Sequence, residues 1–357
     1  MLELVKLEKF EPLETTEENW NQYYKYFEKR HSERDSNSPI PSMTQIKKEM
    51  ELMVTNKNQM FQRIFYVLKI EDEIIGTLII GTVTKNSPSY LSNHSMVEFS
   101  LGLLAEYRQQ GFGRLMLKKV YEIGKNIENA TFFTKTQNET GKEFLKAIGA
   151  KIALEGQENR LNLGDVDLEL MNQWVKDGKE RNPNTTLHFV YSIPGSIINE
   201  YAKVYTEVVN QQPLGDLSFH DIRVTPAMIR ENEKEFRDLG KTWITAYTIE
   251  ENGVISGLTD INNLQNDKTL LKQRQTGVRT SHRGRGLGKW LKGAMIFRIL
   301  SEFPEATTIF TDNANTNAPM LSINKRMGFK LYKEQFMGQI NIKDLKKYLI
   351  KYFSDVL

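Results

Sequence analysis

Two stretches of this sequence repeat one another in kind and in order, and that repetition limits what the chain can fold into. LGLLAEYRQQGFGRLMLKKVYEIGK in the first half and RTSHRGRGLGKWLKGAMIFRIL in the second set Arg108 against Arg283, Gly111 against Gly286 and Gly113 against Gly288. Downstream, TFFTKTQNETGKEFLKAIGAK matches TIFTDNANTNAPMLSINKRMGFK. Asn138 falls on Asn317 and Gly149 on Gly328, with about four extra residues ahead of the Asn in the second copy. One shared loop would mean little. A shared loop and a shared downstream helix in the same order mean duplication. Each copy reads as strand, glycine loop, helix, strand, Asn-led helix, Gly, strand.

The upstream parts correspond too. Residues 20–34 and 43–54 read as helices, followed by two strands in RIFYVLKIEDEIIGTLIIGTV around an acidic turn. In the second half, 197–209 and 226–239 read as helices. WITAYTIEENGVISGLTDI then reads as a hairpin around Glu251-Asn252-Gly253. The expected layout is a first domain over 1–160, a linker over 161–185 with its boundary near Arg181–Thr185, and a second domain over 186–357. A chain of 357 residues is long enough for two such cores.

The second loop holds glycines at 284, 286 and 288 at the start of a helical pattern that puts Leu287, Leu291, Ala294, Met295 and Ile299 on one face. Two readings compete: a tight strand-to-helix turn, and an anion cradle at a helix N-terminus. The G-x-x-x-x-G-K-[ST] phosphate loop fails because Trp290 follows Lys289, and G-x-G-x-x-G fails because Lys289 stands third after Gly286. R-x-x-G-x-G remains, behind LLKQRQTGV, which reads as a buried strand.

Composition narrows the chemistry. There is no cysteine, which excludes disulfides, thiolate metal sites and a cysteine acyl-enzyme, and suits a reducing cytoplasm. No metal site is expected. The net charge of +3 and the lack of interleaved aromatic and basic residues argue against a nucleic-acid binder. The opening MLELVKLEKFEPLE lacks an apolar secretory core, and no apolar run is long enough for a bilayer, so a cytoplasmic protein without a membrane partner is expected.

On these motifs each half resembles the GCN5-related N-acetyltransferase (GNAT) family, whose signature is [RQ]-x-x-G-x-[GA]. The layout resembles that of the two-domain mycothiol synthases. The second copy spells the signature Arg283-Gly-Arg-Gly286-Leu-Gly288, and the first Arg108-Gln-Gln-Gly111-Phe-Gly113. The resemblance implies an α/β (α+β) chain of two tandem domains, each a mixed sheet splayed open in the middle and flanked by helices. It also implies acetyl-CoA as co-substrate, its pyrophosphate on Arg283, Gly284, Arg285, Gly286, Leu287, Gly288 and Lys289. Val278, Arg279, Thr280 and Asn317 would meet its pantetheine arm. A second site at Arg108, Gly111, Gly113 and Asn138 is possible on the same grounds.

The implied chemistry is direct acetyl transfer to an amine, with a backbone N–H polarising the thioester carbonyl. Many members protonate the leaving thiolate with a Tyr four residues before the second-motif Gly. That place holds Asn324 in the second copy and Leu145 in the first. Asparagine can orient a water or hydrogen-bond the sulfur; leucine can do neither. The second copy is therefore expected to carry the chemistry and the first to be degenerate. Asp260 and Tyr247 are the candidates for general base, with His282 beside the loop and a water chain as the other route. Each has a structural alternative: packing for Tyr247, a strand-end turn for Asp260, solvent for His282. A non-catalytic acyl-CoA sensor or scaffold is the competing function. The acceptor, a small-molecule or peptide amine, and the oligomeric state are not legible.

Overall fold

Local chemistry sets the first elements. Thr16 caps a helix by accepting the Asn19 N–H, with Glu17 and Glu18 in the first turn against the helix dipole. Ser42 and Gln45 close a reciprocal capping box on the next. The computed structural model describes residues 5–35, 39–56, 59–264 and 267–354. The elements through the first copy are β1 (Val5–Phe10), α1 (Glu17–Arg34), α2 (Met43–Thr55), β2 (Phe61–Ile70), β3 (Glu73–Val83), α3 (Tyr90–Asn93), β4 (Met96–Leu103), α4 (Phe112–Gly124), β5 (Thr131–Thr136), α5 (Glu139–Ala147) and β6 (Lys151–Asn162). Then come α6 (Leu168–Arg181), β7 (Thr185–Val190), α7 (Ile198–Asn210), α8 (Pro226–Asp238), β8 (Trp243–Glu250), β9 (Ile255–Asn263), β10 (Leu270–Val278), α9 (Leu287–Glu302), β11 (Thr308–Ala314), α10 (Ala318–Met327), β12 (Lys330–Asn341) and α11 (Ile342–Leu349). The expected mixed α/β architecture, twice over, is present. No helix among the described residues is long and apolar enough to cross a membrane.

The chain divides into two units, but not at the expected 160 and 185. The first comprises 1–154, 216–220 and 336–357; the second comprises 155–215 and 221–335. The difference lies in the last strand of each copy. The first unit's sheet runs β1-β2-β3-β4-β5 and is completed by residues 336–341 of β12, antiparallel to Thr131–Thr136 of β5. The second runs β7-β8-β9-β10-β11 and is completed by residues 156–162 of β6, antiparallel to Thr308–Ala314 of β11. Each copy thus hands its final strand to the other copy's sheet.

The segment expected as a linker is part of the second unit. Leu161 lies in its sheet, and Met171 and Trp174 of α6 are buried in one cluster with Leu291, Ile296 and Met327. Two glycines let α6 approach α9: a Cβ on Gly178 would stand 2.4 Å from the Trp290 side chain, and one on Gly293 2.9 Å from the Met171 carbonyl. α9 is consequently buried on more than the one face its pattern implied, including Trp290 and Lys292. The first unit's core gathers Leu78, Phe99, Met116, Leu117 and Phe132 with Ile340, Leu345 and Leu349 from the far end of the chain.

Both sheets open in the middle. β10 pairs in parallel with β11 only over Leu270–Lys272, although β10 runs on to Val278 and β11 to Ala314. In the first unit β4 pairs with β5 only over Met96–Glu98. The opening corrects one expectation. LLKQRQTGV reads as a buried strand, yet only Leu271 and Gln273 of β10 are buried, because its far half has no strand beside it on the β11 side.

Candidate functional site

β10 ends through Arg279 and a short turn, Thr280–His282, into the glycine loop. Gly284 (φ +82°) and Gly286 (φ +84°) both take the left-handed conformation, the second as the N-cap of α9. This alternation curls successive N–H groups toward one side, an anion-binding nest. Lys289 and Trp290 are the first to bond backward, both to the Gly286 carbonyl at 3.1 Å. Among the described residues the N–H groups of 284 to 288 find no acceptor. Positive φ explains two of the glycines. The third is different: Gly288 is helical, and a Cβ there would meet only Ile323 at 3.8 Å and Val278 at 3.9 Å, ordinary contacts. Nothing among the described residues requires glycine at 288, where it costs a helix about 1 kcal/mol against alanine. Room beside the nest is what it provides.

The loop's side chains divide by task. Arg285, expected beside the phosphates, is a latch. Its Nε donates to Asn182 Oδ1 (2.7 Å) and its Nη2 to Thr185 Oγ1 (2.9 Å) and Glu250 Oε2 (3.0 Å), while Asn182 donates back to the Arg285 carbonyl. Arg279 pairs with Glu200 (2.8 Å) and Glu207, and Thr280 N–H donates to Glu207. Arg283 has a neutral partner in Gln211 (2.7 Å). Among the described residues neither Arg283 nor Lys289 forms an ion pair, so these two carry charge free for a ligand. Arg181, which sequence reasoning missed, brings its Nη1 within 3.9 Å of where a Gly286 Cβ would be. His282 sits beside Ser281, its Nδ1 2.9 Å from the hydroxyl.

The first copy keeps the backbone form with poorer residues. Gln109 (φ +60°) and Gly111 (φ +92°) repeat the alternation, so a glutamine occupies the strained place that Gly284 holds in the second. The N–H groups of 109 to 113 likewise find no acceptor among the described residues. Arg108 is held by Glu33 and by the Leu103 carbonyl. A Cβ on Gly113 would stand 3.4 Å from the Phe144 ring. Asn138 and Asn317 have matching roles: each caps the following helix, accepting from Gly141 N (2.8 Å) and Met320 N (3.4 Å).

The copies part company along the strand that leads into the loop. β10 bulges at Arg274–Gln275, between its two stretches of pairing with β9. β4 pairs with β3 without a break. Asp260 fastens the bulge. Its fully buried carboxylate accepts the Gln275 N–H (2.7 Å) and the Trp243 indole N–H (3.0 Å), with Arg274 at 3.9 Å. Burial pushes its pKa up to about 6, against the pull of Arg274 and these hydrogen bonds. Tyr247 lies in the apolar cluster under α7, stacked on His188 at 5.4 Å, its hydroxyl raised by burial. No hydrogen bond or ring contact among the described residues joins Asp260, Tyr247 and Asn324 to one another.

Asn324 is buried on α10 and belongs to a polar chain that the sequence did not announce. Lys292 Nζ, on a residue only 1% exposed, donates to Asn324 Oδ1 at 2.6 Å, and Asn324 Nδ2 donates to Asn313 Oδ1 at 2.8 Å. Burial lowers the Lys292 pKa to about 7. The corresponding residues of the first copy are Leu117, Leu145 and Thr136, the two leucines both buried.

Residues 17–150 match the family model described as "Acetyltransferase (GNAT) family", a match that lies within the first copy. No curated protein matches in sequence. Among solved structures, the chain is similar to a tandem GNAT protein from the clavulanic acid biosynthesis pathway, at 17% identity and TM-score 0.72, over 95% of this chain and 98% of that one. It is similar to a GCN5-related N-acetyltransferase from Sphaerobacter thermophilus at 12% identity and TM-score 0.63, over 95% and 96%. A glucosamine N-acetyltransferase region of a fungal multi-domain β-N-acetylglucosaminidase gives 12% and 0.63, over 94% of this chain and 38% of that. At these identities the likeness is one of fold.

Proposed function

We propose that this chain, whose first copy matches the GNAT family model and whose fold is like that of tandem GNAT proteins, transfers an acetyl group from acetyl-CoA directly to an amine, and that the second unit carries the chemistry. The observation that supports this most is the nest of five N–H groups at 284–288 that find no acceptor among the described residues, with Gly288 bare beside it and Arg283 and Lys289 outside any ion pair there. Such a nest fits a pyrophosphate. The unpaired edge of β10, from the bulge to Val278, Arg279 and Thr280, would hold the pantetheine arm as an added strand.

Acetyl-CoA supplies the activated acetyl group; the chain supplies placement and polarity. Past Lys272 the edge of β10 has no pairing with β11, and a backbone N–H on that edge would be free to face the thioester carbonyl oxygen. Asp260 holds that bulge and is a positioning residue. Walled in by Trp243, Gln275 and Arg274, it has no open face from which to take a substrate proton. Tyr247 packs. Water is then the acceptor of the amine's proton, and Asn324 is the polar group at the place where many family members have tyrosine. The first unit shares the loop geometry but lacks the bulge and the polar chain, which suits a copy without turnover of its own.

Thiol release from acetyl-CoA with a panel of amines tests the reading, run on the wild type, Gly286→Val and Gly111→Val with the thermal midpoint of each. Gly286→Val is expected to weaken acetyl-CoA binding more than tenfold, because a side chain at a left-handed position distorts and covers the nest. Gly111→Val should leave turnover within a few fold. Equal losses would mean two working sites. Binding without turnover on any amine would make the protein an acyl-CoA sensor instead.

A further inference from the structure

Lysine is among the residues least often fully buried, and an unpaired buried ammonium is costly. Among the described residues no carboxylate lies within ion-pairing distance of Lys292; its contacts are Asn324 and the Phe329 ring at 5.2 Å. The first copy shows what the fold does without it, since Leu117 fills the same place. The substitutions come as a set. Where the lysine is leucine, the asparagine on the Asn-led helix is leucine too, and the strand asparagine is threonine. Lys292 therefore belongs with Asn324 and Asn313.

Its position ties it to the cradle. Lys292 is one helical turn beyond Gly288, on the same side of α9. Gly288 faces Ile323, the neighbour of Asn324. Asn313 lies on β11 beyond Phe310, the last residue paired with β10. The chain thus leads from below the glycine loop into the base of the gap.

The chain also has a direction. An ammonium only donates, so the Asn324 oxygen must face Lys292 and its NH2 must face away. That NH2 donates to the Asn313 oxygen, which leaves Asn313 its own NH2 to offer. One N–H of Asn324 and both of Asn313 have no partner among the described residues. A buried positive charge followed by two amides in one orientation is a site for an anion, with donors at its open end.

Resting on the acetyltransferase reading above, we propose that Lys292 is a positioning residue that fixes the amide of Asn324 and, with Asn313, stabilises coenzyme A as its thiolate, so that no tyrosine is needed to protonate the leaving sulfur. In the step itself the amine nitrogen bonds to the acetyl carbon, and the C–S bond breaks with its electron pair left on sulfur. The amine's proton goes to water, and the sulfur takes a proton from water once it departs. Burial alone lowers the Lys292 pKa to about 7, and a thiolate held at Asn313 raises it again, so that anion and ammonium favour one another.

The test is the ultraviolet titration of the thiolate of coenzyme A bound to the full chain, wild type against Lys292→Met, with calorimetric affinities for coenzyme A and for its desulfo analogue. The first copy's Leu117 indicates that an apolar side chain is tolerated there, and the thermal midpoint checks folding. The bound thiol is expected to titrate at least one pH unit lower on the wild type than on Lys292→Met, while both bind desulfo-coenzyme A alike. Asn324→Leu should reproduce the shift. Identical titration curves on folded wild type and variant would overturn the inference and leave the acetyltransferase reading standing. Failure of the wild type to bind coenzyme A at all would remove that reading, and this inference with it.

Discussion

Asp260 shows how a carboxylate in a candidate site can be a structural pin. It satisfies a backbone N–H at the bulge and an indole N–H, and it lies near a guanidinium, Arg274, that itself rests over Phe236 and Trp243. Asp260→Ala strands the Gln275 and Trp243 N–H groups and takes the carboxylate away from Arg274, and breaking such a buried constellation costs about 3–5 kcal/mol. Denaturant unfolding should show that loss, whereas a general base would lose rate with its stability intact. Lys292 makes the complementary case. Its pKa is lowered from 10.5 to about 7 on folding. Below pH 7 the lysine is charged folded and unfolded, and the folded state bears the full cost of the buried charge. Between 7 and 10.5 the folded chain has released a proton that the unfolded chain still holds, so stability climbs with pH. Lys292→Met should therefore be more stable than the wild type at pH 6, by on the order of a few kcal/mol in denaturant unfolding, with the gap closing toward pH 10. A constant gap would mean that the lysine titrates normally. Neither role was legible in the sequence. Asp260 reads there as a candidate general base or a strand-end turn residue, and Lys292 is not singled out. What buries them is packing from α10, α6 and β10, none of it encoded nearby.

At the scale of elements, short-range signals were read well and long-range ones were not. Caps, hairpins and glycine loops are written within a few residues, and the helices expected at 43–54 and 226–239 stand as Met43–Thr55 and Pro226–Asp238. β10 looked buried because its composition is apolar at both ends, and its exposure depends on where β11 stops pairing. α6 looked like a linker because it lies between two repeats and ends in a polar, proline-containing loop. Its burial rests on Gly178 and Gly293, which carry no helical pattern of their own. Gly178→Ala decides between the two views by sign. On a free linking helix alanine in place of glycine stabilises by about 1 kcal/mol. Packed against Trp290, the added methyl has no room, and overpacking costs about 1–3 kcal/mol. The thermal midpoint should fall, and a rise would return α6 to the linker role.

For the whole molecule, duplication was legible and its consequence was not. Two copies in tandem suggest two domains that separate at a cut between them. β6 and β12 have similar lengths and follow similar helices, so nothing in either strand says which sheet it will join. Because each completes the other copy's sheet, the first unit needs residues 336–357: the strand segment that pairs with β5, then α11, whose Leu345 and Leu349 are fully buried against Leu117 and Val120. Residues 1–160 alone would leave the Thr131–Thr136 edge open and this core without one wall. An exposed apolar edge strand of that kind invites association. Produced alone, 1–160 is expected to aggregate or to show poorly dispersed amide resonances. The same segment joined through a flexible Gly/Ser linker to residues 336–357 should give a folded monomer by size exclusion and a cooperative melt. A well-folded, monomeric 1–160 would mean that its own β6 can turn back to close the sheet, and that the exchange is a choice between two closures of similar energy.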